Sequence, residues 1–377
     1  MEKVLFVIKN SMLTRGMNTG LENLAWGLSE RGIEVHILSG GVLPKKCNYT
    51  VPKNVYYYFS GKNGENPINF MGLFSEIIDK NKFKVVIGWI INISPLISIA
   101  SRQNIVFISN QGQIAPKILY VNFLKKILLR KIPVLDAIKL LLLVHNYASK
   151  LDKIISISSA VQSSCIETYK LDLSKCEIIP RGVDTNKYSF EGRKAQNEKF
   201  IVLYAGNIQP TKGINDLVNS LKFIDKSVKI VLCGNGNIRY INKLASKVAR
   251  YNKGHELEFT GPLKQEQLIT QFKNCDFFVF PSHSEGLGKA LIEAMSCGCP
   301  VICSDISPFT EIVTQNYSGL IAKKKSPKSL GEAINTYIAD NELRIQCGLY
   351  GREVVEKNFS KELEIEKWYA LINSFRI

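Results

Sequence analysis

Two glutamates, Glu285 and Glu293, stand with seven residues between them in FPSHSEGLGKALIEAMSCGCPVICSD, residues 280–305. The apolar run FFVFPS reads as a buried strand, SEGLG as a loop, and KALIEAMS as a helix, so Glu285 falls in the loop and Glu293 inside the helix. Gly286 and Gly288 leave backbone N–H groups of Leu287, Lys289 and Ala290 open where that helix begins. The first amides of a helix have no intrahelical acceptor, and the dipole there favours an anion. A phosphate fits that position, while carboxylates accept hydrogen bonds from sugar hydroxyls. The combination reads as a site for a sugar carried on a diphosphate.

The elements that must place these groups alternate along the chain. KVLFVI, a polar loop, the helix LENLAWGLSERG and the strand EVHILS open it, with Leu21, Leu24, Ala25 and Leu28 at helical spacing. Strand, helix and strand with short joints make a βαβ unit and hence a parallel sheet. FKVVIGWI, NIVFISN, KIISIS and CEIIPRGVD continue the series to residue 184, and the charged stretch 185–199 reads as a linker. A second alternation runs from FIVLYAG through KIVLCG, LEFTG, FFVFPS and PVICSD, to about residue 360. The expected architecture is α/β: two Rossmann-like domains, 1–184 and 200–360, facing a central cleft that holds the ligands. The amphipathic tail 361–377 is expected to return to the first domain.

Length and composition agree with that plan. A chain of 377 residues exceeds one ordinary core, and its 45% hydrophobic and 22% charged content is that of a globular protein. The net charge of +16 implies a polyanionic partner. Nine cysteines, an odd number without a preceding secretory signal, read as reduced thiols, and the expected compartment is the cytoplasm. Cys297, Cys299 and Cys303 lack a second ligand pair at zinc spacing and read as small core residues. No run reaches the ~20 apolar residues of a membrane span. Residues 114–150 nevertheless mix long apolar side chains with Lys125, Lys126, Arg130 and Lys131, a composition suited to an anionic membrane surface. The same residues also fit a solvated helical face. Basic residues set among aliphatic rather than aromatic side chains argue against nucleic acid. GNGN at 234–237 lacks the third glycine of a dinucleotide fingerprint and argues against a dehydrogenase.

EGLGKALIE resembles the E-x7-E motif of the retaining GT-B glycosyltransferases of family 4, also called group 1. GLENLAWGLSERGIEVHILS, IIPRGVDTNKY, LYAGNIQPTKGINDLVNSL and KIVLCGNG are similar to other segments of that family, in the same order. The resemblance implies transfer of a hexosyl or N-acetylhexosaminyl unit from a nucleoside diphosphate sugar, UDP-linked, with retained configuration. The positive charge then suggests a lipid-linked, lipopolysaccharide or capsule glycan as acceptor, met by a peripheral protein on the inner face of the cell membrane. By the same resemblance Lys212 would contact the diphosphate and Glu293 the ribose, while Glu285 and the amides of Leu287 to Ala290 would meet the sugar and phosphates. Gly261, Pro262 and Leu263 would approach the base, and Gly16 to Gly20 would line the cleft from the other domain. The family's usual arginine after the glycine is Asn207 here, and Arg181 is the candidate substitute. Asn110 and Gln111 stand where a cleft histidine is expected, and His283 is a candidate acceptor contact. No D-x-D pair occurs, so no metal or other cofactor is expected. The alternatives are a non-catalytic GT-B partner that binds sugar or lipid, and an epimerase of the same fold.

Overall fold

The computed structural model describes residues 2–8, 17–40, 52–60, 67–88, 94–112, 150–190, 192, 199–251 and 254–375. The chain divides into two compact units, one formed by Met1–Gly182 with Lys361–Ile377, the other by Val183–Ser360. Gly16, Lys125, Lys126, Arg130 and Lys131 lie outside the described residues.

The first unit carries β1 (Glu2–Ile8), α1 (Met17–Glu30), β2 (Ile33–Ser39), β3 (Val55–Phe59), α2 (Pro67–Asn81) and β4 (Val85–Gly88). It continues with α3 (Ser94–Arg102), β5 (Val106–Gln111), β6 (Lys153–Ser156), α4 (Ser159–Tyr169) and β7 (Cys176–Ile178). The seven strands form one sheet in the order β3-β2-β1-β4-β5-β6-β7, and every recorded pairing is parallel. Both faces are covered, so alternate residues of β1 enter two different cores. Val4 and Phe6 join Leu21, Leu24, Ala25 and Leu28 of α1, whereas Leu5 and Val7 join Phe74, Ile77 and Ile78 of α2. Burial on both faces is why these strands read as unbroken apolar runs.

The second unit begins with β8 (Phe200–Ala205), α5 (Ile214–Ser220), β9 (Val228–Cys233), α6 (Ile238–Ala249), β10 (Glu256–Gly261), α7 (Gln265–Asn274) and β11 (Phe277–Phe280). There follow α8 (Lys289–Ser296), β12 (Val301–Ser304), the short α9 (Phe309–Ile312), β13 (Leu320–Ala322), α10 (Pro327–Ala339) and α11 (Asn341–Asn358). Its six parallel strands run in the order β10-β9-β8-β11-β12-β13. The chain builds outward from β8 to β10, then resumes at β11 on the other side of β8. The topological switch point of this sheet therefore lies between β8 and β11, and ligands of such sheets bind beyond the carboxyl ends of the strands at that point.

Helix α12 (Lys361–Ser374) completes the first unit, where Ile365, Trp368, Leu371 and Ile372 share a core with the α1 leucines. Arg181 Nη1 donates to Glu364 Oε1 over 3.0 Å, and the Gly182 N–H donates to Glu364 Oε2 over 2.7 Å. The stretch read as a linker differs from that reading at its start, because the second unit begins at Val183 and Tyr188 within it is buried. Cys297, Cys299 and Cys303 are core thiols, and burial pushes Cys297 up to about 12. Among the described residues no helix is long and apolar enough to cross a membrane.

Candidate functional site

At the switch point two loops of the second unit converge. The loop after β8 turns through Pro210–Lys212 and reaches Gly213, whose φ of +69° is a left-handed conformation. A Cβ at Gly213 would lie 1.9 Å from the Pro281 carbonyl oxygen, so glycine is needed to lay this loop against the end of β11. The His283 N–H donates to the Thr211 carbonyl over 3.0 Å and fastens the two loops together. Ser304 Oγ donates to the Ser282 carbonyl over 2.5 Å, adding the end of β12. This stapling brings together Lys212 and Glu285, 73 residues apart in sequence: Nζ donates to Oε1 over 2.6 Å, and Ser282 Oγ donates to the same oxygen over 2.9 Å.

Lys212 and Glu285 are partly buried, with side chains 21% and 15% exposed. An ion pair so placed gains little net stability, because part of its attraction is offset by desolvation. Its value is chemical: an ammonium held by a carboxylate at a strand terminus can also serve an incoming phosphate. Nearby, Tyr204 donates from its hydroxyl to the Asn207 carbonyl over 3.0 Å. Burial pushes the pKa of that phenol far above its ordinary value, and the charge of Glu285 adds to the shift. Tyr204 is therefore a neutral wall of the site. Asn207 itself is exposed and brings no charge.

Glu293 sits in the second turn of α8. Gly288 caps the helix with φ +89°, and a Cβ there would come 2.4 Å from Phe309 Cε1. The Leu291 and Ile292 N–H groups return to the Gly288 carbonyl, while those of Lys289 and Ala290, just before them, have no intrahelical acceptor. Leu287 is buried beneath this turn, with Gly286 beside it partly buried. Glu293 is 7% exposed; its Oε1 accepts from the Tyr188 hydroxyl over 2.8 Å and lies 3.3 Å from Lys289 Nζ. Gln265 Nε2 donates to the Tyr188 oxygen over 3.0 Å, which links α7 and the preceding loop Gly261, Pro262 and Leu263 to the carboxylate. Space around Gly261 is open, with no atom within 4 Å of an added Cβ.

The other sequence-selected residues have the following surroundings. Arg181 belongs to the first unit and pairs with Glu364 of α12. His283 Nε2 lies 2.6 Å from Asp216 Oδ2, so its ring is committed to α5. Gly20 lies in the first turn of α1 with open space beside it. Asn110 and Gln111 end β5, where Gln111 Nε2 donates to Ser109 Oγ over 2.6 Å. Asn110 is 2% exposed, and among the described residues neither atom of its amide has a partner; the buried Ser156 hydroxyl on β6 likewise has none among them. A buried polar group left unpaired costs about 1–3 kcal/mol, which is recovered when a ligand supplies the missing bonds. Sequence reasoning missed Tyr188, Gln265, Ser282 and Asp216. The signal available for Tyr188 was a lone aromatic in a charged stretch.

Two family models match the chain in succession: Glycosyltransferase Family 4 over residues 14–187, and Glycosyl transferases group 1 over residues 186–354. An uncharacterized glycosyltransferase of Methanocaldococcus jannaschii is 32% identical over 216 residues, which cover 57% of this chain and 56% of the relative. The capsular polysaccharide biosynthesis glycosyltransferase CapM of Staphylococcus aureus is 28% identical over 235 residues, 59% of this chain and 61% of CapM. The matched stretches thus span little more than half the length of these relatives. HepE of Anabaena, solved in complex with UDP, superposes with a TM-score of 0.77 at 15% identity and covers 99% of this chain and 100% of its own.

Proposed function

Because the chain belongs to the group 1 glycosyltransferases of GT-B fold, we propose that it moves a hexosyl or N-acetylhexosaminyl unit from a UDP-linked donor to a glycan hydroxyl. The observation that carries this reading is the meeting of Lys212 and Glu285 at the switch point of the second sheet, one short helix from the buried Glu293. Lys212 and the open amides of Lys289 and Ala290 meet the diphosphate, whose charge grows as the glycosidic bond breaks. Glu293 accepts from the ribose hydroxyls. Glu285 addresses the sugar and returns to Lys212 when the diphosphate leaves. Gly261, Pro262 and Leu263 offer backbone groups to the base. In the first unit, the Asn110 amide, without a partner among the described residues, offers neutral hydrogen bonds to an acceptor hydroxyl, where a histidine would supply a charge.

In the transfer, the bond from the anomeric carbon to the phosphate oxygen breaks and one from that carbon to the acceptor oxygen forms. The acceptor's proton passes to the departing phosphate. Attack on the face that the diphosphate vacates retains configuration and requires no enzyme nucleophile. CapM's part in capsular polysaccharide biosynthesis and the UDP bound to HepE support a UDP donor and a cell-surface polysaccharide acceptor. The test is a thermal-shift panel of nucleotide sugars in EDTA, followed by assay of nucleoside diphosphate release. Ligand at about a hundred times its Kd stabilises by about 2.7 kcal/mol, a shift well above noise. We expect one UDP-sugar to raise Tm and to turn over in chelator. Binding without turnover, with or without acceptor, would favour a non-catalytic partner, and turnover restored only by Mg²⁺ or Mn²⁺ would overturn the metal-independent reading.

The basic stretch holding Lys125, Lys126, Arg130 and Lys131 supports a peripheral site on the inner leaflet, where a lipid-linked acceptor is presented. Each such residue near an anionic surface contributes about 1 kcal/mol, and the attraction fades beyond a Debye length. Changing all four to glutamine is expected to release the protein from anionic vesicles in a sedimentation assay, as added salt releases the wild type. Equal sedimentation of variant and wild type would show these residues to be a solvated face.

A further inference from the structure

We propose that Tyr188 is a positioning residue for Glu293, fixing the carboxylate so that Oε2 alone faces the donor nucleoside. The inference rests on the donor reading given above. Tyr188 lies in a stretch that the sequence presents as a charged connection, yet it is 4% exposed and its backbone is anchored. Its carbonyl accepts from Arg352 Nη1 over 2.6 Å and from Ser296 Oγ over 3.0 Å. Arg352 Nη1 also donates to the Ser296 carbonyl, at the end of the helix that carries Glu293. The Tyr188 backbone and the end of the helix are therefore tied to one guanidinium.

The hydroxyl is oriented by its partners. Gln265 offers Nε2, a group that only donates, to the Tyr188 oxygen. The single phenolic hydrogen is thereby directed to Glu293 Oε1, 2.8 Å away. Burial, together with the charge of Glu293, holds the phenol far above its ordinary range, so that hydrogen stays on the tyrosine. With Oε1 occupied by Tyr188 and approached by Lys289, the acceptor capacity left to Glu293 is on Oε2, which has no donor among the described residues. A carboxylate free to rotate would lose part of its binding energy in being ordered on each encounter, and the hydroxyl removes that loss.

The test uses whichever of UDP, GDP or ADP gives the largest thermal shift, together with inorganic diphosphate, titrated into the full chain. Tyr188→Phe keeps the ring and deletes the hydroxyl. We expect it to weaken the nucleoside diphosphate by about fivefold to tenfold, less than the loss of a direct hydrogen bond to a charged group because Tyr188 acts on the ligand only through Glu293. Diphosphate, which lacks the ribose, should bind the variant and the wild type alike. In a Glu293→Ala background, Tyr188→Phe should cause no further loss, since nothing remains to be positioned. If Tyr188→Phe leaves nucleoside diphosphate affinity unchanged, weakens diphosphate equally, or adds its full effect in the Glu293→Ala background, the positioning role is overturned. If Glu293→Ala itself changes nothing, or no nucleotide binds the wild type, it is the donor reading that fails.

Discussion

Lys212→Ala is expected to lower kcat by about a hundredfold to a thousandfold, the cost of deleting one positioned group that meets charge developing in a transition state. The ammonium lies at the carboxyl end of β8, 2.6 Å from Glu285 and partly shielded from water. In the resting site it is neutralised by that carboxylate, so its full positive field is exerted when a diphosphate draws it away. Charge on the leaving group is greatest as the glycosidic bond breaks, and the loss should therefore fall on kcat more than on the donor KM. Stability should scarcely change, because a partly exposed ion pair contributes about 0–1 kcal/mol. Steady-state assay at saturating donor, with a melting curve of the same preparation, separates the two effects. A variant with unchanged kcat would remove Lys212 from the chemistry, and one that melts much earlier would show the pair to be a structural clasp. Lys212→Arg keeps the charge on a planar, bulkier group and should recover only part of the rate.

Much of this arrangement was readable from residue order. The buried parallel strands appear as apolar runs because helices cover both faces of each sheet. The glycines at 286 and 288 marked the loop-to-helix turn that holds the two glutamates. Other features depend on contacts that no local pattern records. Tyr188 reaches Glu293 across 105 residues, and Arg181 reaches Glu364 across 183, so the one looked like linker and the other like a free cation. Strand β3 was overlooked because VYYYF carries no alternation; in the sheet it is an edge strand, and Tyr56 is among the exposed large side chains. β13 is three residues long, too short for a periodicity to show. The position of Lys212 beside Glu285 follows from Gly213, whose need for a left-handed conformation and for the close approach of Pro281 is visible only in three dimensions.

The claim that Glu293 holds the donor nucleoside is the centre of this account. Glu293→Ala removes a charged acceptor from two hydroxyls, and a hydrogen bond to a charged group contributes roughly 1.5–3 kcal/mol, or about tenfold to a hundredfold in Kd. The substitution also leaves the Tyr188 hydroxyl without its acceptor, so Glu293→Gln, which keeps the shape and an acceptor oxygen, serves as the check on packing. Isothermal titration of the UDP-sugar that stabilises the wild type, into wild type, Glu293→Ala and Glu293→Gln, is the most direct measurement. The account predicts a Kd weakened by at least about tenfold in the alanine variant, a smaller loss in the glutamine variant, and an unaltered stoichiometry. Equal affinity of all three proteins for the donor would contradict it.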